Sequence, residues 1–170
     1  MSPTSNPARR WLLRWPALFV RVFAPDDREL GRLGEEVAAT ALVRRGYRVE
    51  ARGLRTREGE ADLVVSTRTI RAVVEVKTAR AQLVPLARGS QVRGGSRIEP
   101  LDLRWRPGFR CDARRLRRLR SLSRSLRADR VDLVEVFYLA SSRRFRILHH
   151  EDLRRPLSEG ALEGNPGDLR

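Results

Sequence analysis

The sequence predicts a mixed β-sheet flanked by helices, with elements in the order αβββαββ. Three observations carry this. Apolar residues recur at helical spacing from Leu30 to Leu42. Three runs of strand character follow between Tyr47 and Lys77. A second helical stripe, Leu116 to Leu126, is then followed by two further strand-like runs. Helices on both sides of a three-strand unit bury both faces of a sheet, which makes one layered domain.

The first helix is read from Leu30, Leu33, Val37, Ala38, Ala41 and Leu42, and Gly46 ends it. Gly34 falls on the same stripe, where a missing side chain lets a helix approach a sheet closely. "YRVEA" alternates Tyr47, Val49 and Ala51 as the first strand; "ADLVVS" and "IRAVVEVK" are the second and third. Residues 81–111 are rich in Gly, Pro and Arg without a clear period, and read as a long loop. The second helix covers 112–128, and "VDLVEVFYLA" and "RRFRILHH" are the last two strands. The expected division is a basic, aromatic extension over 1–29, a domain over 30–155 and a disordered tail over 156–170, which holds two prolines and three glycines.

The chain has 170 residues, a net charge of +15 and a pI of 11.6, which draws it to polyanions. Its single cysteine, Cys111, excludes an intramolecular disulfide and a Cys-rich zinc cluster, and is expected to be inert. The apolar stretch after Arg9-Arg10 is broken by Arg14, Pro16 and Arg21. No unbroken run reaches the ~7–15 residues of a signal-peptide core or the ~20 of a membrane span. The expectation is a cytoplasmic protein without stable membrane insertion. The extension itself reads as a tail with loosely packed aromatics or as a basic amphipathic segment touching nucleic acid or membrane.

Of the 36 basic residues, one alone is a lysine, Lys77. It follows Glu75 by two residues, so both side chains leave the third strand on one face. Glu60 and Asp62 likewise share a face at the start of the second strand. If these strands pair, Asp62 and Glu75 converge, an arrangement that is costly without a cation between them. Carboxylate oxygens suit a hard ion, Mg2+ or Mn2+. A compact ammonium beside them suits an attacking water or a developing anion, where a planar guanidinium does not fit. This set of groups suits phosphodiester hydrolysis.

Asp62 followed by Glu75-Val76-Lys77 resembles the D…ExK signature of the PD-(D/E)xK nuclease superfamily. The blocks "GRLGEEVAATALVRRGYRV", "GEADLVV", "VVEVKTAR" and "RVDLVEV" together resemble the YraN-like family of small bacterial proteins labelled as endonucleases. The resemblance covers residues Leu30 to Leu148. It implies a restriction-endonuclease-like core and a metal-dependent nuclease acting on DNA rather than RNA, including branched or structured DNA. It also implies that Glu35, at the edge of the first helical stripe, completes a metal site with Asp62 and Glu75, with Lys77 as the fourth catalytic residue. The sequence departs from the family in its longer 81–111 loop, in Ala61 before the aspartate, and in Arg114 and Arg115 where a lysine is usual. A homodimer, a non-catalytic nucleic-acid-binding module and a basic protein associated with ribosomes or membranes are the other readings.

Arg114, Arg115 and Arg118 on the second helix, with Arg104 and Arg106 in the loop, are the candidate nucleic-acid contacts. Trp105 and Phe109 lie among the loop arginines, where they suit either stacking on bases or anchoring of the loop. His149 and His150 end a strand and read as structural. Asp132 reads as an ion pair or cap.

Overall fold

The computed structural model describes residues 11–81 and 106–157 and the backbone of 167–169. Three helices, α1 (Pro16–Val22), α2 (Asp27–Arg44) and α3 (Ala113–Ser125), accompany six strands. These are β1 (Arg48–Arg55), β2 (Glu60–Ser66), β3 (Arg71–Ala81), β4 (Arg130–Leu139), β5 (Arg144–His150) and β6 (Gly167–Leu169). They form one sheet in the order β1-β2-β3-β4-β5-β6. Only β3 and β4 run parallel, in register from Ala72↔Arg130 to Ala81↔Leu139; the other pairs are antiparallel. A parallel pair needs a crossover, and the connection that carries α3 supplies it. The mixed sheet flanked by helices agrees with the restriction-endonuclease-like fold.

Side-chain alternation sorts the sheet into two faces. Val74, Val76, Val134 and Val136 pack with Ala38 and Leu42 of α2 on one face. Val73 and Leu133 pack with Leu116, Leu119 and Leu122 of α3 on the other. β4 is buried from Val131 to Leu139 because it is central and covered on both sides. Each fully buried Leu contributes about 1.5–3 kcal/mol, so the two stripes hold the helices to the sheet.

Two expectations are corrected. The 1–29 extension is not separate from the core in its described part. Phe19 and Val20 of α1 are fully buried and cluster with Leu13, Leu30, Leu33 and Tyr138. α2 also begins earlier than Leu30. Asp26 accepts from the Glu29 N–H at 2.7 Å and Glu29 accepts from the Asp26 N–H at 2.9 Å, a reciprocal cap that starts the helix at Asp27. The second correction concerns the disordered tail: within 156–170, Gly167–Leu169 pairs with β5 as an edge strand. Residues 158–166 lie outside the described residues, as do 82–105 of the long loop.

Gly34 behaves as its place on the stripe requires. A Cβ there would lie 1.9 Å from Thr78 Oγ1 and 2.9 Å from Thr78 Cβ. A threonine in a strand has no remote end to swing away, so α2 itself would have to lift. Gly34→Ala is expected to destabilise the protein by about 1–3 kcal/mol. The measurement is the shift in urea midpoint at unchanged slope; an unshifted midpoint would show that α2 does not rest on β3 here.

Candidate functional site

Glu75 lies mid-strand on β3, facing α3, and is wholly buried. A buried carboxylate has to be paired, and two cations reach it. Lys77 Nζ donates to Oε1 at 2.5 Å. Arg115 donates from Nε to Oε1 at 2.9 Å and from Nη2 to Oε2 at 2.6 Å, a two-pronged contact. Arg115 occupies the first turn of α3, which is fixed by its N-cap: Asp112 accepts from the Arg115 N–H at 2.7 Å. The same guanidinium donates to the Glu60 carbonyl at 3.1 Å, tying α3 to the start of β2.

Asp62 stands one step beyond the last β2–β3 pair, Leu63↔Val74, and so opposite Glu75. Its Oδ2 accepts from the Val76 N–H at 2.7 Å, so the side chain takes the place of a ladder partner. Burial, followed by the Glu75 charge, pushes its carboxyl up to about 6, against the Val76 N–H, Lys77 and Arg115, which act to lower it. Glu35, half-buried on α2, is pushed up to about 6 by burial and then by the charges of Asp62, Glu36 and Glu60. Glu36 turns to Arg52 at 3.0 Å, and Glu60 to Arg55 at 3.2 Å.

Asp62, Glu75 and Lys77 thus come together at one end of the β2–β3 pair, while Glu35, on α2, is close enough to Asp62 to feel its charge. Among the described residues no three acidic, His or Cys side chains are arranged as a metal cage. The donors nonetheless suit a hard divalent ion: the Asp62 charge raises Glu35, the Glu75 charge raises Asp62, and a cation relieves such repulsion. Both oxygens of Glu75 are engaged, Oε1 by Lys77 and Arg115 and Oε2 by Arg115.

The nucleic-acid candidates divide. Arg114 and Arg118 are exposed on α3, as are Arg117 and Arg124. Arg115 turns inward to Glu75. Arg106 is corrected: it is buried and its guanidinium holds Glu135, with Nε–Oε2 at 3.0 Å and a further Nη2 contact, so it is closed to a phosphate. Arg104 lies outside the described residues, as does Trp105. Phe109 lies with its ring centre 5.9 Å from the Arg106 guanidinium carbon, which favours anchoring over base stacking for this aromatic.

Glu135 is the residue that sequence reasoning missed. It pairs in register with Lys77, on the same face, and is wholly buried. Besides Arg106 it accepts from the Gly108 N–H at 2.8 Å and meets His150 Nε2 at 2.8 Å. Burial acts to raise its pKa, but His150, Arg106 and the Gly108 N–H together hold it below the usual carboxylate range. It thereby clamps the 3-10 turn Pro107–Arg110, where the long connection returns to the sheet. The signal was present as an acid inside the apolar run "LVEVFYL". On the other face Asp132 pairs with Arg130 and with His149 Nε2 at 3.0 Å. Both histidines thus serve buried carboxylates. Cys111 is buried, and its thiol is pushed up to about 11 by burial and then by the Glu75 charge, so it stays protonated.

The raised carboxyls fix a pH dependence. A carboxyl whose folded pKa lies above its unfolded value of about 4 favours the fold most below pH 4. That contribution is lost as pH rises through about 6, the folded value for Glu35 and Asp62. In chelator, Asp62→Asn is expected to be more stable than wild type at about pH 8, by about 1–2 kcal/mol, with the difference vanishing near pH 4. Thermal midpoints of both proteins across that range provide the check; parallel curves would show that Asp62 titrates normally.

The sequence profile described as "Uncharacterised protein family UPF0102" matches residues 34–136, a stretch that holds Glu35, Asp62, Glu75, Lys77, Arg115 and Glu135. A UPF0102 protein of Clavibacter michiganensis is 39% identical over 87 residues, 51% of this chain and 70% of that protein. One from Symbiobacterium thermophilum is 44% identical over 56 residues, 33% of this chain and 48% of that protein. Another, from Syntrophomonas wolfei, is 47% identical over 55 residues, 32% and 48% of the two chains. The chain thus spans about half the length of the latter two. With most of the described core inside the matched stretch, this chain belongs to the UPF0102 family, the YraN-like family of PD-(D/E)xK type that its sequence blocks resemble.

Proposed function

We propose that the protein is a metal-dependent nuclease that hydrolyses phosphodiester bonds in DNA, with branched or structured DNA as the preferred substrate class. One observation supports this above the others. A wholly buried glutamate and a lysine two residues along share one strand face, opposite an aspartate whose pKa is raised by burial and by that glutamate. A structural ion pair has no need of the second and third carboxylates.

In this reading Glu35, Asp62 and Glu75 hold Mg2+ or Mn2+, which supplies charge neutralisation at the phosphate and a lowered pKa for water. Glu75 fixes the Lys77 ammonium at 2.5 Å. From there Lys77 orients the attacking water and steadies negative charge gathering on the phosphate. Arg115 is the resting counter-charge of Glu75 and turns to the DNA backbone when the carboxylate is needed. Arg114 and Arg118, exposed on the same helix, take neighbouring phosphates and contribute no sequence preference. In this reading the protein works in the cytoplasm, where its DNA substrate lies. Among the described residues no helix is long and apolar enough to cross a membrane.

The direct test is cleavage of duplex, single-stranded and branched DNA with Mg2+ or Mn2+. Binding without cleavage in any of these would favour a non-catalytic module instead. Lys77→Arg separates chemistry from charge, since net charge is kept. Cleavage should fall on the order of 100-fold, while the unfolding midpoint and DNA affinity stay near wild type. Wild-type cleavage by the variant would remove Lys77 from the mechanism.

Arg115→Gln frees Glu75 from its guanidinium. Calorimetry should show Mn2+ binding about tenfold tighter than in wild type, whereas Arg115→Lys, which keeps the charge, should change it less. Unchanged Mn2+ affinity in Arg115→Gln would mean that Arg115 and metal do not compete for Glu75.

A further inference from the structure

Residues 1–25 hold four arginines and no acidic residue. Within the described part of this segment, the chain is apolar on two sides. Leu13, Phe19 and Val20 face inward. Trp11, Trp15, Leu18 and Val22 face outward, exposed by 61, 59, 47 and 58%. Leu18 and Val22 are four residues apart on one face of α1, and Trp11 and Trp15 stand exposed in the turn that leads into it. The inward face packs on α2; among the described residues the outward one stays exposed. Beside it, between α1 and α2, runs an open apolar groove lined by Pro16, Ala17, Val37, Ala41, Phe145 and Ile147, with Arg44 at its edge. Arg14, Arg21 and Arg44 are exposed around this surface.

We propose that this face docks on an anionic lipid bilayer. Trp11, Trp15, Leu18 and Val22 enter the boundary between headgroups and acyl chains, and Arg14, Arg21 and Arg44 meet the lipid phosphates. Tryptophan suits that depth because its ring is apolar and its N–H finds a polar partner there. Charge selects this occupant over a second copy of the chain, since two such faces brought together oppose arginine to arginine with no acid in either segment. Chemistry selects it over nucleic acid, since Leu18 and Val22 have no part in base stacking or phosphate contact. The helix is too short to span a bilayer, so the contact is peripheral. α1 packs on the α2 side of the sheet, whereas Glu75 and α3 lie on the other. Docking therefore leaves Glu75, Lys77 and the basic face of α3 open. α1 precedes the stretch matched by the family profile, whereas Arg44, Val37 and Ala41 lie within it.

The test uses the full chain and the double variant Trp11→Ser/Trp15→Ser. Both side chains are mostly exposed, so the variant should fold, which thermal unfolding verifies. Sedimentation is measured with vesicles of phosphatidylcholine alone and with vesicles containing about one third phosphatidylglycerol. The expected result is partition of the wild type onto the anionic vesicles only, with a blue shift of tryptophan emission, and about tenfold weaker partition of the double variant. A single variant, Leu18→Asp, should weaken partition comparably and keeps the argument testable if the double variant misfolds. No partition by the wild type, or equal partition by wild type and variants, overturns the proposal. So does a wild-type dimer in sedimentation equilibrium that the variants abolish, or loss of DNA binding in the variants without vesicle partition.

Discussion

Glu75 must be neutralised where it stands. It sits without solvent exposure on the third strand of a six-stranded sheet, where an unpaired carboxylate is untenable. The solution recruits two elements. Lys77 comes from the same strand, because alternation returns it to the same face. Arg115 comes from α3, and its approach sets where that helix begins: Asp112 caps the turn that carries it, and its second contact reaches β2. The placement of α3, the basic face it shows to solvent and the closure of the β2–β3 end all follow from one buried charge.

The same rule is applied twice more on the neighbouring strand. Glu135 and Asp132 face opposite sides of β4, and each is met by an arginine and a histidine from the end of β5. Glu135 adds the Gly108 N–H, so the long connection is anchored where it rejoins the sheet. These two carboxylates are satisfied and hold the frame. Glu35 and Asp62 are different. Their carboxyls are pushed upward, Asp62 by burial and the Glu75 charge and Glu35 by burial and the Asp62 charge. It is this difference on which the proposed metal site rests.

The two sides of the sheet then divide the work. On one, α3 presents Arg114 and Arg118 above Glu75 and Lys77. On the other, α2 lies against β3 through Gly34 and carries α1 on its outer end, with Phe19 and Val20 as the inward anchor. The basic face of α3 and the exposed apolar residues around α1 thus lie on opposite sides of the sheet.

Periodicity alone determined most of the architecture. The stripes from Leu30 to Leu42 and Leu116 to Leu126, and the runs around Val64, Val74, Val134 and Ile147, specify helices and strands because burial imposes a repeat on each. The Asp62, Glu75 and Lys77 trio was legible for the same reason: alternation and hairpin pairing are local rules. Asp26, three residues before Glu29, carries the signal of the cap, and the reading from the apolar stripe alone passed over it. What only the tertiary structure decided is where long arginines go. In sequence Arg106 and Arg115 look like Arg114 and Arg118; in space the first two are drawn inward by Glu135 and Glu75. The fate of α1 and β6 belongs with these, since an amphipathic segment does not reveal which apolar side finds the core, and a short edge strand exists only because β5 offers it a partner. A flexible side chain or a terminal segment takes its position from whatever lies within reach after the core has formed, and that distance is not written in any local pattern.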